Sequence, residues 1–173
     1  WRGIQDPDMV RQAMTVSILP LEPSYRPGDT LHTVITVTNS GAGHHLPTYV
    51  TPKIFVRGDL LDSAGEAIAD SFQEAVIGRE ITLNLSREVY DTRIAAKASL
   101  DFGYEMTLPE NAAALRVKVV VHPDHFYQRF FEAVLRRDQG SLGRKHLEAA
   151  LEKTSTSSFT VFERLLQVPM AGD

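Results

Sequence analysis

Four of the six histidines fall in two short motifs, "GHHLPT" (43–48) and "HPDHFY" (122–127). Imidazole titrates near neutral pH and is the commonest protein metal ligand, so both motifs are candidate sites. In the second, His122 and His125 are three residues apart, with Pro123 restricting the backbone between them. If the chain turns there, the two rings meet and can share a metal ion. His125 falls at the start of an expected helix, whose positive end disfavours imidazolium and leaves the ring neutral and able to ligate. The opposing reading makes His122 an outward strand residue and His125 a local cap, because two histidines fall short of the usual three or four ligands.

In the first motif, His44 and His45 are neighbours in an extended segment and point to opposite sides, so they do not share one ion. One of them is a metal, haem or cofactor ligand, or else it hydrogen-bonds the backbone of a long Gly-rich loop. Binding residues concentrate on loops of this kind. A copper-type site would need His44 or His45 to converge with His122 and His125, since cupric ion suits imidazole.

Asp91 and Arg93 in "DTRI" lie on one side of an extended segment and are expected to form a salt bridge. In "IGRE" (77–80), Arg79 either pairs with Glu80 or Asp91 or is solvated. The patterns of nucleophilic, phosphate-binding and zinc-protease chemistry (G-x-S-x-G, Walker loop, G-x-G-x-x-G, H-E-x-x-H) are missing, and no carboxylate pair stands out. An enzyme is therefore the least expected class. Trp1 is the only tryptophan, which argues against a carbohydrate platform of exposed indoles.

The bulk properties are consistent with a globular chain. There are 173 residues, 43% hydrophobic and 23% charged, which fits one domain with a real core. A net charge of −4 gives no electrostatic case for nucleic acid or an anionic membrane. No apolar run approaches a membrane span. Without cysteine the chain has no disulfide, no Cys-type zinc site and no C-x-x-C-H haem attachment. It begins at Trp1 with no initiator Met or signal peptide, as expected of a processed protein or an excised fragment.

Strict alternation predicts strands over 14–18, 31–38, around Ile54 and Val56, over 81–86, over 100–107 and over 115–122. Pro27–Gly28 supplies a type II turn, "DSAG" (62–65) another, and "LPEN" (108–111) joins the last two strands. About seven antiparallel strands with these turns predict an immunoglobulin-like β-sandwich over 1–122. At 123 the period becomes helical: Tyr127, Phe130, Phe131, Val134 and Leu135 share a face, with Asp124 as N-cap and Gly140 as stop. A second helix is expected near 142–153, broken by "TSTSS" (154–158), while "FTVFERLLQV" reads equally as strand or helix. The region 123–173 is thus a helical hairpin appendage and tail, docked on the same domain by its aromatic stripe.

Taken together, "YRPGDTLHTVITVTNSGAGHHLPTYVTPKIFVRGDLLDSAG", "IGREITLNLSREVYDTRI" and "LRVKVVVHPDHFYQRFFEAVL" resemble the C-terminal, haem-free domain of a family of bacterial multihaem c-type cytochromes. Such a domain carries a strand ending in T-N-x-G-x-G-H-x-x-P-T and a later D-T-R segment. Gly43, His44, Pro47 and Thr48 match the first motif, and Asp91, Thr92 and Arg93 the second. Tyr49 departs from an expected glycine, and Ala95–Ala96 from a Pro-containing turn.

The resemblance implies no covalent cofactor in this chain but haem c in an upstream region. It implies a non-catalytic role beside a haem-bearing domain or redox partner, with His44 as a candidate outside axial ligand. It also implies a periplasmic or other extracytoplasmic location. The expected interaction residues are Gly43, Pro47, Thr48, Tyr49, Asp91 and Arg93, with His44 and His45 as candidate cofactor-binding residues. This reading predicts an apolar or histidine-lined patch near 41–50.

Overall fold

The computed structural model describes residues 3–138, 140 and 142–171, so Trp1 lies outside the described residues. In chain order, α1 (Pro7–Ala13) is followed by β1 (Thr15–Ile18), β2 (Thr30–Thr38), β3 (Lys53–Leu61) and β4 (Gln73–Ile77). Then come β5 (Arg79–Ile81), β6 (Glu88–Asp91), β7 (Ser99–Thr107) and β8 (Ala114–His122). Helices α2 (His125–Arg137) and α3 (Arg144–Ser155) precede β9 (Phe159–Gln167).

The fold is mainly β. Its three open antiparallel sheets are ordered β1-β2-β7, β4-β3-β8-β9 and β5-β6. The alternating residues do what their period requires. Leu31, Ile35 and Val37 of β2 are fully buried, as are Ile54, Val56 and Leu60 of β3 and Val117, Val119 and Val121 of β8. Residues of both larger sheets join one core, and each such side chain contributes about 1.5–3 kcal/mol. The sheets meet closely at Gly58: a Cβ there would stand 2.6 Å from the Tyr104 ring. Tyr104 is itself buried, with its hydroxyl donating to the Ser71 carbonyl at 2.8 Å.

The structure departs from the sequence reading, or completes it, in several places. The strand over 81–86 is not formed: β5 ends at Ile81, and Thr82–Arg87 turns back to β6. Asn84 Oδ1 accepts from the Thr82 hydroxyl and from the Ser86 amide and hydroxyl. These local bonds offer the backbone an alternative to a ladder, and Leu85 is left two-thirds exposed at φ +60°. The short helix α1 was not anticipated. Its signal is Asp6, which accepts from the Asp8 and Met9 amides, followed by Pro7 at the first helical position.

The ambiguous tail is a strand. A register shift between Val119 and Val120 of β8 breaks the period of two in β9, so that Val161 and Phe162 both pack toward the core. The hairpin, finally, is not docked by a buried aromatic stripe. No residue of α2 or α3 is buried, and Tyr127 and Phe130 are 46% and 40% exposed. The two helices pack on each other, and α2 is fastened to the sheets at its first turns. Asp124 occupies the N-cap position without a side-chain cap bond, and the helix ends at Arg137, ahead of Gly140.

Candidate functional site around the histidine loop

Residues 39–52 join β2 to β3 across the two sheets, and the chain holds this irregular segment with side chains. Asn39 is fully buried. Its Nδ2 donates to the carbonyls of His44 (2.7 Å) and Ile94 (3.0 Å), and its Oδ1 accepts from the Ala42 amide (3.1 Å). Leu46 and Ile94 exchange backbone bonds of 2.8 and 2.9 Å, so the "GHHLPT" and "DTRI" segments lie side by side. The Leu46–Pro47 peptide is cis, and both residues are buried. Gly41 is required by a close approach: a Cβ would fall 2.1 Å from the Gln12 carbonyl oxygen at the end of α1.

The expected Asp91–Arg93 pair forms and reaches further than a local bridge. Arg93 Nε and Nη2 donate to the two Asp91 carboxylate oxygens at 2.9 and 2.7 Å, the forked geometry that makes such pairs strong. These bonds hold the Asp91 carboxyl down to about 2 and raise the Arg93 guanidinium. Arg93 Nη1 donates to the Thr48 carbonyl at 2.8 Å. Thr92 anchors the segment from the other side, with its hydroxyl between the Val76 and Gly78 carbonyls at 2.7 and 3.1 Å. Arg79 pairs with Glu88, an arrangement not anticipated.

His44 is exposed, and its Nδ1 is 2.9 Å from the His45 carbonyl oxygen and 3.1 Å from the Thr48 hydroxyl. A cleft of about 930 Å³ opens beside it. One wall is the loop, with Gly43, His44, Pro47, Thr48 and Tyr49; the other walls come from Ile4 and Met9 at the N-terminal end and Tyr127 of α2. Met9 is 51% and Tyr49 56% exposed, so the cleft presents apolar side chains from both the N-terminal end and the loop. His45 is exposed and does not line the cleft, in keeping with the divergence of adjacent side chains. Gly43 has no left-handed φ, and a Cβ on it would meet nothing within 4 Å. The fold itself makes no demand for glycine there.

His122 and His125 do meet. Their ring centroids are 6.2 Å apart at 78°, with Phe55 against both at 4.8 and 5.6 Å. His122 Nε2 and His125 Nδ1 are buried without hydrogen-bond partners. Burial lowers both rings' affinity for protons, helped at His122 by Arg57. At His125 it is helped by Lys53 and His122 and brings the pKa to about 4. Both are therefore neutral at pH 7. Among the described residues no three His, Cys, Asp or Glu side chains gather as metal ligands, so neither His44 nor His45 joins this pair in such a cluster.

Sequence reasoning passed over two residues that hold the site. Asn39 stands in the T-N-x-G segment of the motif, but its bond to Ile94 spans 55 residues. Lys53 carried no signal: it begins a strand on the outward face and should be solvated. Instead it is 1% exposed, with Nζ donating to Val50 O (3.1 Å) and Arg79 O (2.6 Å) and lying 3.3 Å from Glu80 Oε2. Burial, with Arg129 nearby, brings its pKa down to about 8. Glu80 also pairs with Arg129 of α2, and the Phe126 amide donates to Thr51 O at 3.0 Å. The back of the loop and the root of the hairpin are thus one connected network.

No family model matches the sequence, and no curated protein matches it. The fold is similar to part of a penta-haem cytochrome c552 from Thermochromatium tepidum, at 10% identity and a TM-score of 0.65, over 96% of this chain and 42% of that one. This chain therefore spans less than half the length of that cytochrome. A β-glucosidase from Listeria innocua overlaps over 92% of this chain and 16% of its own, at 10% identity and a TM-score of 0.39, too low to carry an argument. At such identities the likeness to the cytochrome is one of fold.

Proposed function

We propose that this chain is the haem-free accessory domain of a multihaem c-type cytochrome. In this reading it is non-catalytic, packs against the haem-bearing domain, and offers that domain the His44 imidazole. The observation that carries it is the state of His44: buried bonds hold the loop, Nδ1 is engaged, and the ring stands exposed on a cleft wall. The likeness of fold to a penta-haem cytochrome supports it, as does Gly43, whose bare backbone lets an outside surface come close. Gly3–Gln5 line the same cleft, so a domain preceding them in a longer polypeptide would stand beside His44.

The residues suit the group. Metal-ligating histidines characteristically donate the other ring N–H to a carbonyl or carboxylate, as His44 does toward His45 O. Haem, carried by the neighbouring domain, supplies the redox chemistry; this chain supplies a donor, a surface and exclusion of water. The two main sheets then form a sandwich of immunoglobulin-like type, and the protein works in the periplasm or another extracytoplasmic space. A haem peptide with an open axial position, titrated by absorbance, should turn low-spin with the wild-type chain. His44→Ala should abolish the change and His45→Ala should keep it. An unaltered titration with His44→Ala removes the ligand role.

One observation favours a second reading, an imidazole metal site of copper type at the hairpin root: the two unpartnered nitrogens of His122 and His125. Binding of one equivalent of Cu²⁺, lost in His125→Ala and kept in His44→Ala, would establish it over the first.

A further inference from the structure

We infer that Asp91, Arg93 and Thr48 are positioning residues for His44, fixing which ring nitrogen carries the proton and leaving Nε2 as the open donor. The inference rests on the reading of His44 as a ligand to a metal centre presented by a partner.

The relay begins with a rigid element. Arg93 uses Nε and Nη2 on one carboxylate and keeps Nη1 for the Thr48 carbonyl, so one planar guanidinium satisfies both partners. Lysine has no such fork and could not hold both in fixed geometry. Thr48 is β-branched and has few side-chain rotamers, so fixing its carbonyl also restricts where its hydroxyl lies. That hydroxyl is 3.1 Å from His44 Nδ1.

The proton's position follows from acceptor chemistry. A carbonyl oxygen can only accept, and His45 O is 2.9 Å from Nδ1. A bare Nδ1 would set two lone pairs against each other at that distance. A protonated Nδ1 instead donates to His45 O, and Thr48 Oγ1 can accept part of the same N–H. The neutral ring then carries its lone pair on Nε2, the nitrogen that makes no hydrogen bond among the described residues, on a side chain lining the cleft. The D-T-R segment and the G-H-x-x-P-T loop, far apart in sequence, become one device: the first holds Thr48, whose hydroxyl joins the His45 carbonyl in favouring the Nδ1–H tautomer of His44.

The test reads the tautomer directly. In the wild type, long-range ¹⁵N–¹H spectra of histidine-labelled protein should show His44 protonated at Nδ1. Arg93→Lys and Thr48→Val should move it toward the Nε2–H form that free imidazole prefers, leaving the His32 and His146 patterns in place. Thr48 is exposed, so Thr48→Val keeps the test open if Arg93→Lys disturbs the loop. Haem-peptide affinity should fall about 10- to 100-fold in both variants, the usual cost of losing an outer partner of a ligand. A His44 tautomer unchanged in both variants overturns the relay, even if the wild type binds haem peptide. A shifted tautomer in a protein that binds no haem peptide supports the relay and removes the docking reading instead.

Discussion

The two histidine motifs make opposite use of the same side chain. At 43–48 the backbone is irregular, yet Asn39, Ile94 and Arg93 tie it down, and one imidazole is left exposed with its inner nitrogen satisfied. At 122–127 the backbone is regular, strand running into helix, and both imidazoles are packed against Phe55 with a nitrogen unpartnered. An unpaired buried polar group costs about 1–3 kcal/mol, so the second arrangement is a weak point and the first is not. Regular secondary structure and rigidity are therefore not the same property. The loop is the better-determined region because its polar groups are spoken for, and the hairpin is less so because its helices bury no side chain in the core.

The sharpest way to break the comparison is to untie the loop. Asn39→Ala leaves the part-buried His44 carbonyl without its Asn39 partner, while the Ile94 carbonyl keeps the Leu46 amide, and should cost about 2 kcal/mol in urea denaturation. It should also speed amide exchange at 42–48 ahead of the hairpin. An equal loss of protection in the hairpin would contradict the separation.

The next effect is on the other side. The folded pKa of His125 lies below its ordinary value, so the unfolded or opened chain binds more protons between about pH 6.5 and 4. The attachment of α2 should thus be strongest above pH 6.5 and weaken by about 2 kcal/mol as pH falls to 4, with His122 acting in the same direction. Arg57 beside His122 and Lys53 beside His125 oppose protonation there, while Glu74 and Glu132 moderate it. Exchange over 125–137, corrected for its intrinsic pH dependence, should show the weakening, and His125→Phe should remove it.

The smallest effect is the most discriminating. Gly43→Ala should change stability by less than about 0.5 kcal/mol, because the added methyl meets open space. In the same protein, haem-peptide binding should weaken. Unchanged binding would mean that nothing approaches this backbone closely.

The legible parts of the fold were those with one buried face. In β2 and β7 alternate residues face the core, and their period of two is plain in the sequence. Legibility failed where local bonding or a register shift spoiled the period, at Thr82–Arg87 and in β9. It failed at α1 because seven residues are too short to show a helical stripe. At the site, residue types singled out His44, Asp91 and Arg93, and motif resemblance named the loop and D-T-R together without placing them side by side. Neither could show that Arg93 skips 45 residues to hold Thr48, or that Lys53 is sealed against Gly78, Arg79 and Glu80. Those facts belong to tertiary packing.

The placement of the hairpin between β8 and β9 has a consequence for how the chain folds. Val121 and Phe159 are ladder partners, so the whole helical segment is an excursion between two adjacent antiparallel strands. A tight turn could close that ladder, and closing it over the longer excursion costs about 2 kcal/mol more in chain entropy. That cost favours docking of the last strand after the rest of the four-stranded sheet exists to receive it, an order that amide-exchange pulse labelling of β9 against β3 would check. Until then the outer edge of β8 is open. A nascent or partly denatured chain is most exposed there to pairing with another copy of itself.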